Sequence, residues 1–395
     1  MQDRSIVHMD LDTFFVSVER LDNSKLLGRP VLIGGKSNRG VVASCSYEAR
    51  TFGVHSAMPM KMARQLCPEA IILRGDMERY SYYSNMVTDI IKESVPIYEK
   101  TSIDEFYIDL SGMERFFGSY LFATDLRKRI EKESGLNISF GHSINKTVSK
   151  IATGEAKPAG QKKINIGYEK PFLAPLSVRK IPMVGNVMFQ NLRRLGIDKI
   201  HTLQVMPREM LERALGKNGG KLWKKANGID NTPVVQYTER KSISSDKTFE
   251  KDTSDIDKLK ATLISMTEGL AFKLRKEHKL CSVVTVKIRY SDFNTYTQQI
   301  KIPYTSADHI LISKVKELFD KLYSRRVMLR LVGVRLSGLV SGGYQINLFD
   351  DTEELINLYQ AMDNMNKRFG NGTVKRAVGL GLKHREFNSF MPEKS

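Results

Sequence analysis

The chain has 395 residues, with a hydrophobic content of 41% and a charged content of 27%, which is ordinary for a globular protein of roughly two to four compact units. No apolar run approaches the roughly 18 residues of a membrane span, which argues against a membrane protein, and acidic residues in MQDRSIVHMDLD argue against a signal peptide. The three cysteines are far apart and lack CxxC or Cys/His spacing, so neither zinc nor disulfides are expected. We therefore expect a protein of a reducing cytoplasm.

The net charge gives the first indication of a partner. Lys and Arg number 62 against 44 Asp and Glu, a formal charge of +18. Residues 240–339 alone hold 20 Lys and Arg against 11 Asp and Glu, so half of the excess charge lies in a quarter of the length. Such a concentration favours binding to a polyanion, because phosphate contacts release counterions. The alternative is a basic protein whose charge serves only its solubility.

The N-terminal half is predicted to interleave strands and helices. SIVHMDL (5–11) is short, apolar and β-branched, which predicts a buried strand ending in carboxylates. The helix predicted at 78–95 has an apolar stripe of Tyr82, Met86, Ile90 or Ile91, and Val95. The alternation in KTSIDEFYIDLSG (100–112) predicts a strand that begins at Asp104-Glu105. Further predicted elements complete an α+β unit: strands at 29–35, 40–46 and 137–145, and helices after residue 12, at 56–68 and at 119–134.

The second half begins with short helical pieces from about residue 166. RKIPMVGNVMFQNLRRLGIDKIHTL (179–203) has a Pro, a Gly turn and an apolar helix, which is typical of a helix-hairpin-helix. The polar stretch 238–252 is predicted to be an exposed linker. Another α+β unit is predicted beyond it, with helices at 255–277 and 307–323, strands at 280–291, 295–302 and 328–338, and a last helix at 353–369.

Asp10 ends one predicted strand, and Asp104-Glu105 begins another. If these strands are neighbours in one sheet, their carboxylates converge and can bind hard cations. Two such ions about 4 Å apart activate a 3′-hydroxyl and stabilise a leaving pyrophosphate. The alternatives are acids that are merely solvated, and a two-metal nuclease or phosphotransferase. A nuclease would want a basic side chain beside the metals, and only His8 lies near, at a strand position expected to point elsewhere.

Four motifs in order sharpen this interpretation: HMDLDTFFVSVE, VVASCSYEARTFGVHSAMP, SIDEFYIDLSG and AKPAG. Together they closely resemble the Y-family DNA polymerases, especially the DNA polymerase IV branch. The resemblance implies a template-directed, low-fidelity DNA polymerase that bypasses lesions. It also implies an α+β multidomain, right-hand fold with these parts: palm (1–19 and 76–165), fingers (20–75), helical thumb with helix-hairpin-helix (166–237), linker (238–252), α/β little finger (253–341), and clamp-binding motif with tail (342–395).

The resemblance assigns the carboxylates and their neighbours. Asp10 and Asp104 match metal ligands and Glu105 the catalytic acid, with the Leu11 carbonyl completing a shell for two Mg²⁺ ions per active site. Phe15 matches the steric gate, an aromatic ring that would collide with a ribose 2′-hydroxyl. Asp12 is expected near the site without being a principal ligand. A catalytically silent DNA-binding scaffold would have no need for this set of residues.

Nucleotide contacts follow from the same motifs. Tyr47 and Arg50 lie in SYEAR and Lys157 in AKPAG, where the family contacts the deoxynucleoside triphosphate, and Ser44 offers a further hydroxyl. A phenol and a guanidinium donate directionally to phosphate oxygens, while an ammonium offsets charge on the leaving group.

Primer–template DNA is the second expected partner. The turn IPMVGNV resembles the hairpin whose amides bind DNA phosphates, but Met183-Val184 replace the usual first glycine and leave only Gly185. In the basic unit, four cations alternate along strands, which predicts one face against the DNA backbone: Lys287, Arg289, Arg330 and Arg335.

A short peptide, Gln345-Ile346-Asn347-Leu348-Phe349, resembles the segment with which bacterial polymerases dock on the sliding clamp. Gln345 would be the polar anchor, while Leu348 and Phe349 would fill an apolar pocket. The alternative is a buried strand edge. The following stretch, 358–379, resembles the tail of the UmuC-like branch, so the subfamily stays open at this point. A monomer is expected.

Overall fold

The computed structural model describes residues 4–113, 118–237, 239–342, 353–370, 373–374 and 376–377. The chain divides into two compact units at residue 238. Across these described ranges, no helix combines the length and the apolar character needed to cross a membrane.

Strands and helices alternate along most of the chain. The strands are β1 (Ile6–Leu11), β2 (Val31–Gly34), β3 (Val42–Cys45), β4 (Ile71–Leu73), β5 (Tyr98–Lys100), β6 (Glu105–Asp109), β7 (Ile138–Ser143), β8 (Gln161–Lys163), β9 (Ser242–Thr253), β10 (Lys279–Tyr290), β11 (Thr295–Thr305), β12 (Leu329–Ser337) and β13 (Val340–Ser341). The helices are α1 (Phe14–Asp22), α2 (Tyr47–Thr51), α3 (Met60–Leu66), α4 (Met77–Ser94), α5 (Ser119–Ser134), α6 (Lys146–Ala156), α7 (Glu169–Leu173), α8 (Asn186–Arg194), α9 (Ile200–Val205), α10 (Arg208–Leu215), α11 (Lys217–Ala226), α12 (Ile256–Lys276), α13 (Asp308–Leu322) and α14 (Glu353–Phe369).

The first unit is built on a five-stranded sheet in the order β5-β6-β1-β7-β8. Strand alternation divides β1 between the two faces of this sheet. Val7, Met9 and Leu11 enter a core shared with α1, α4 and α5. The opposite face carries His8 and Asp10, and α6 packs there against β1 and β7. The side chains of α6 therefore face the strand ends at which Asp10 lies.

The predicted apolar stripe of α4 is wrong at Tyr82, which is 61% exposed, whereas Ile91 and Val95 are buried as predicted. The buried face begins at Tyr80 and continues through Ser84 and Val87. Polar Ser84 belongs inside because its hydroxyl donates to the Ile103 carbonyl at 2.5 Å. A hydrophobicity pattern cannot predict the burial of a small polar residue, because a hydrogen bond lowers the free-energy cost of burying it.

Two smaller assemblies complete the first unit. Strands β3-β2-β4 form a three-stranded sheet that packs on α2 and α3 over its own core. Helices α7 to α11 form a helical assembly whose core also takes Val148, Ile151 and Ala152 from α6. Helix α6 therefore joins the large sheet to the helical assembly.

The second unit is a sheet in the order β11-β10-β12-β9, with α12 and α13 covering one face. The predicted linker at 238–252 is wrong for most of its length, because β9 pairs with β12 from Ser242 to Thr253. This edge strand is polar on its open face, and only Ile243 and Phe249 reach the core. Its low apolar content led the sequence pattern to suggest a linker.

Helix α14, predicted at 353–369, belongs to the second unit. The Arg275 guanidinium donates two hydrogen bonds to Asp363 of α14, at 2.7 and 2.8 Å, and a third to Asp308 at 2.6 Å. This bidentate pair is largely buried, so it fixes the position of the helix on α12 and α13.

Candidate active site

The predicted adjacency of the acidic strand ends is confirmed. β1 and β6 are antiparallel neighbours, and Asp10 lies opposite Glu105 in the register. The Leu11 amide donates to the Asp104 carbonyl at 3.0 Å, which holds Asp104 at the same end of the sheet. Three carboxylates therefore share one edge of the first unit.

The environment of these carboxylates favours a bound positive charge. Burial is the main cause that raises the pKa of Asp10 to about 7; the charge and hydrogen bond of Lys157 oppose the shift, and the charges of Asp104 and Glu105 add to it. Burial also raises the pKa of Asp104, against a 2.6 Å hydrogen bond from the Ser102 hydroxyl. Desolvated carboxylates that repel one another favour a hard divalent cation, so the donor set fits Mg²⁺.

Two lysines at α6 supply this positive charge in the free protein. The Lys157 ammonium donates to Asp10, and the Lys150 ammonium lies 2.6 Å from both oxygens of Glu105. Among the residues that the structure describes, no three acidic, His or Cys side chains are already arranged as a complete set of metal ligands. The two ammonium groups therefore compete with a cation for the carboxylates of Asp10 and Glu105.

Asp12 has a positioning role. It is 3% exposed. Its carboxylate accepts hydrogen bonds from the Tyr47 hydroxyl at 3.2 Å, the Ser139 hydroxyl at 2.8 Å and the Ala159 amide at 2.6 Å. Asp12 thus ties the start of α2 and the loop after Lys157 to the large sheet. The sequence gives no signal that these groups pair with Asp12, because they lie far from it along the chain.

Phe15 lies on α1 and is partly buried against the main core. Its ring stacks on Tyr80 of α4, with centroids 4.3 Å apart and planes 13° from parallel. The Tyr80 hydroxyl in turn donates to Glu19 at 2.5 Å, which fixes the supporting ring. The sequence analysis missed Tyr80, because it placed Tyr82 and not Tyr80 on the buried face of α4.

The predicted nucleotide contacts fall on β3, α2 and the end of α6. Ser44 lies in β3, and Tyr47 and Arg50 lie in α2, where the guanidinium is 5.0 Å from the Tyr47 ring centroid. Burial and the charge of Asp12 raise the pKa of the Tyr47 phenol, so it stays a hydrogen-bond donor. Tyr47 and Lys157 both contact the Asp12 carboxylate. The Tyr47 hydroxyl donates to it, and the Lys157 ammonium lies 3.8 Å from it.

His8 departs from the expectation that it points elsewhere. It lies on the same face of β1 as Asp10, with its ring Nδ1 2.9 Å from the Thr153 hydroxyl of α6. It is 1% exposed, and burial, followed by the charge of Lys150, lowers its pKa. An enclosed, neutral imidazole is poorly placed to take a proton from water, so His8 is not the base that a nuclease would need.

A groove of about 630 Å³ lies between α6 and the helical hairpin, lined by Lys150, Gly154, Arg179, Lys180, Met183 and Gly185. Gly185 is the residue at which α8 begins, and no side chain caps that helix start. Amides at an uncapped helix start are suited to phosphate oxygens.

Met183 has a backbone φ of +89°, the region that favours glycine. A side chain there costs about 1–3 kcal/mol in strain, and this one is 61% exposed at the groove.

Restoring glycine with Met183→Gly should relax the turn and tighten primer–template binding by about threefold, less than 1 kcal/mol. Fluorescence anisotropy with labelled DNA measures this. Met183→Ala keeps a Cβ at the strained position and should give a smaller gain; an equal gain would exclude the backbone explanation.

Three of the four predicted DNA contacts of the second unit lie on one face of its sheet. Lys287, Arg289 and Arg335 lie on the open face of the sheet, opposite the buried alternation of Val284, Val286 and Ile288. Arg330 is the extra residue of a bulge, at the register shift between Leu329 and Leu331, so strand alternation does not assign it to that face.

Local partners also modify these cations. The Arg330 guanidinium lies 4.4 Å from the centroid of the Phe293 ring. Lys287 donates a hydrogen bond to the Asp246 carboxylate at 2.5 Å. The carboxylate fits there because Gly333 has no side chain; a Cβ on Gly333 would lie 1.9 Å from it. Arg335 is exposed. The open face therefore presents fewer unopposed charges than the sequence suggests.

The predicted clamp peptide, Gln345–Phe349, lies outside the described residues. Of the segment after it, the part described is chiefly α14.

Comparisons with known proteins agree with this geometry. Residues 9–154 match the impB/mucB/samB family, and residues 240–348 match the C-terminal domain of that family. DNA polymerase IV of Dehalococcoides mccartyi is 38% identical over 387 residues, which are 97% of this chain and 99% of that protein. DNA polymerase IV of Desulfatibacillum aliphaticivorans is 36% identical over 385 residues, 96% of this chain and 97% of that protein.

Among solved structures, a Y-family DNA polymerase chimera superposes with a TM-score of 0.76 at 26% identity, covering 86% of this chain and all of the chimera. The sheet with its acidic edge, the helical hairpin and the second unit thus define a Y-family DNA polymerase. The chain belongs to the impB/mucB/samB family, and is a DNA-directed DNA polymerase of the lesion-bypass class. Since the polymerase IV relatives match 97% of the chain, most of the segment after residue 350 lies within the shared length.

Proposed function

We propose that this polymerase extends primers across damaged or distorted templates with low fidelity, by nucleotidyl transfer at Asp10, Asp104 and Glu105. The observation that carries the proposal is the register of β1 and β6, which places Asp10 opposite Glu105 with Asp104 beside them. Two Mg²⁺ ions, held by these carboxylates and the Leu11 carbonyl, would activate the primer 3′-hydroxyl and offset charge on the pyrophosphate.

The side chains around this edge are arranged for a triphosphate. Lys157, which offsets the charge of Asp10 in the free protein, would offset the charge that develops on the leaving group. Tyr47 and Arg50 would donate to β- and γ-phosphate oxygens, with Ser44 adding a hydroxyl. Phe15, supported from behind by Tyr80, would close the space beside C2′ of the incoming sugar.

The domain roles follow the same proposal. Palm, fingers, thumb and little finger would occupy 1–19 with 76–165, 20–75, 166–237 and, with β9 included, 242–341. Gly185 of the hairpin would contact a DNA phosphate, and the cations of the second unit would contact the DNA backbone without reading sequence. Gln345–Phe349 would dock on a bacterial sliding clamp, and the polymerase itself would act as a monomer.

The dependence of extension on magnesium tests the two-ion proposal. At low Mg²⁺ and saturating DNA and nucleotide, the single-turnover rate should rise more steeply than in proportion to the Mg²⁺ concentration. Ca²⁺, which prefers looser coordination, should support substrate binding with little turnover. A hyperbolic dependence on a single ion across the whole range would contradict the two-ion scheme.

DNA affinity should fall steeply with salt. Four phosphate contacts correspond to a loss of about a hundredfold between roughly 50 and 200 mM salt, because each contact releases close to one counterion. Anisotropy titrations of primer–template DNA measure the slope of log affinity against log salt. Arg335→Gln, which removes an exposed cation, should lower that slope by about one unit. An affinity unchanged by salt would count against the electrostatic contacts.

A further inference from the structure

Lys150 is a cation of α6 that the proposed mechanism leaves without a role. Its ammonium lies 2.6 Å from both oxygens of Glu105, so it occupies the lone pairs that a metal ion would use. The two side chains are 32% and 25% exposed, so water screens the pair. A partly exposed pair of this kind contributes little to stability, so a competing anion can displace Glu105.

The same side chain also lines the groove between α6 and the hairpin. Arg179 and Lys180 line it too, with the start of α8 at Gly185. Lys180 is already paired with Glu155 at 2.8 Å. Lys150 is thus placed between a carboxylate of the acidic edge and a groove whose cations and helix-start amides suit a phosphate.

We infer that Lys150 is a positioning residue that couples primer binding to completion of the metal site. In the free protein its ammonium holds Glu105. When a backbone phosphate of the primer strand enters the groove, the ammonium turns to that phosphate and frees both oxygens of Glu105 for the cation. The inference rests on the proposed function, because it takes the groove ligand to be DNA.

Another lysine of the same helix provides a matched control. Lys146 lies one turn earlier in α6 and pairs with Glu99 at 2.6 Å. It also donates to the Pro233 carbonyl at 3.3 Å, and it is absent from the groove lining. Replacing either lysine by methionine removes one positive charge from α6, but only Lys150→Met releases Glu105.

Manganese binding tests the coupling without relying on activity. Mn²⁺ is titrated into the full-length protein and followed by electron paramagnetic resonance, alone and with a dideoxy-terminated primer–template, after subtraction of ions bound by DNA alone. We expect primer–template to tighten Mn²⁺ binding by the unchanged protein. Lys150→Met should tighten binding by the free protein about two- to fivefold, the range of an exposed ion pair, and should lose the further gain from DNA.

The other variants separate coupling from general effects. Lys150→Arg should restore the behaviour of the unchanged protein, and Lys146→Met should resemble it. Thermal unfolding checks each variant, and Lys150→Gln replaces Lys150→Met if the latter does not fold. Equal Mn²⁺ affinities for the free unchanged protein and the free Lys150 variant would overturn the inference, as would equal effects of Lys146→Met. If the unchanged protein fails to extend primers, the proposed function fails instead.

Discussion

Replacing Asp104 by alanine is expected to abolish primer extension while primer–template affinity stays close to that of the unchanged protein. Asp104 lies at the acidic edge, where its carboxylate would bind the catalytic cations. A group aimed at charge that develops during the reaction is worth about a thousandfold in rate, and a lost metal ligand costs at least as much. Single-turnover extension and DNA anisotropy, measured on one preparation, separate the two effects.

Misfolding is not the expected cause of this loss, and the melting temperature of the variant checks this. Since burial raises the pKa of Asp104, the ionised carboxylate opposes folding at neutral pH, so its removal should not lower the melting temperature. Asp109→Asn provides a control on the same strand, because Asp109 lies at the opposite end of β6, across from Ile6. It should extend primers normally. Full extension by Asp104→Ala would remove Asp104 from the metal site.

Phe15→Ala is expected to let ribonucleotides into the site. The Phe15 ring is held against Tyr80 at 4.3 Å and cannot retreat into the core without displacing it. Removing the ring leaves space for a 2′-hydroxyl, so the preference for deoxynucleotides should fall by about a hundredfold, the scale of steric discrimination in a binding pocket. The ratio of kcat/KM for a deoxynucleotide and its ribonucleotide measures this preference.

Tyr80 supplies the matched control for the gate. Tyr80→Phe keeps the stacked ring and removes only the hydroxyl that donates to Glu19. It should leave sugar discrimination nearly unchanged. Ribonucleotide use that is the same in Phe15→Ala and the unchanged protein would show that the ring is a core aromatic rather than a gate.

Sequence alone predicted the acidic edge because its signals are local. One strand pattern ends at Asp10 and another begins at Glu105. The carboxylates come together if these two strands pair, and β1 and β6 do pair. The partners of these groups could not be predicted in that way. Lys150, Ser139 and Tyr80 reach the site through packing between elements that are distant in sequence, and nothing in their immediate neighbours marks them.

The errors have equally specific causes. β9 was taken for a linker because an edge strand with one open face needs few apolar residues, here Ile243 and Phe249. The prediction for Arg330 assumed a regular strand, whereas a bulge interrupts β12 beside it, so alternation does not assign its face. Met183 was predicted from the resemblance to replace a glycine of the hairpin, and its positive φ lies in the region that favours glycine.

The most direct test of polymerase function at the acidic edge is incorporation of single nucleotides on a primed template, undamaged or carrying a lesion, with Mg²⁺. Each template base should be tested with each deoxynucleotide, and Asp104→Ala provides the blank. We expect the nucleotide complementary to the template base to be added most efficiently on the undamaged strand, and synthesis to continue past the lesion. Absence of template-dependent incorporation by the unchanged protein on both templates would contradict this account.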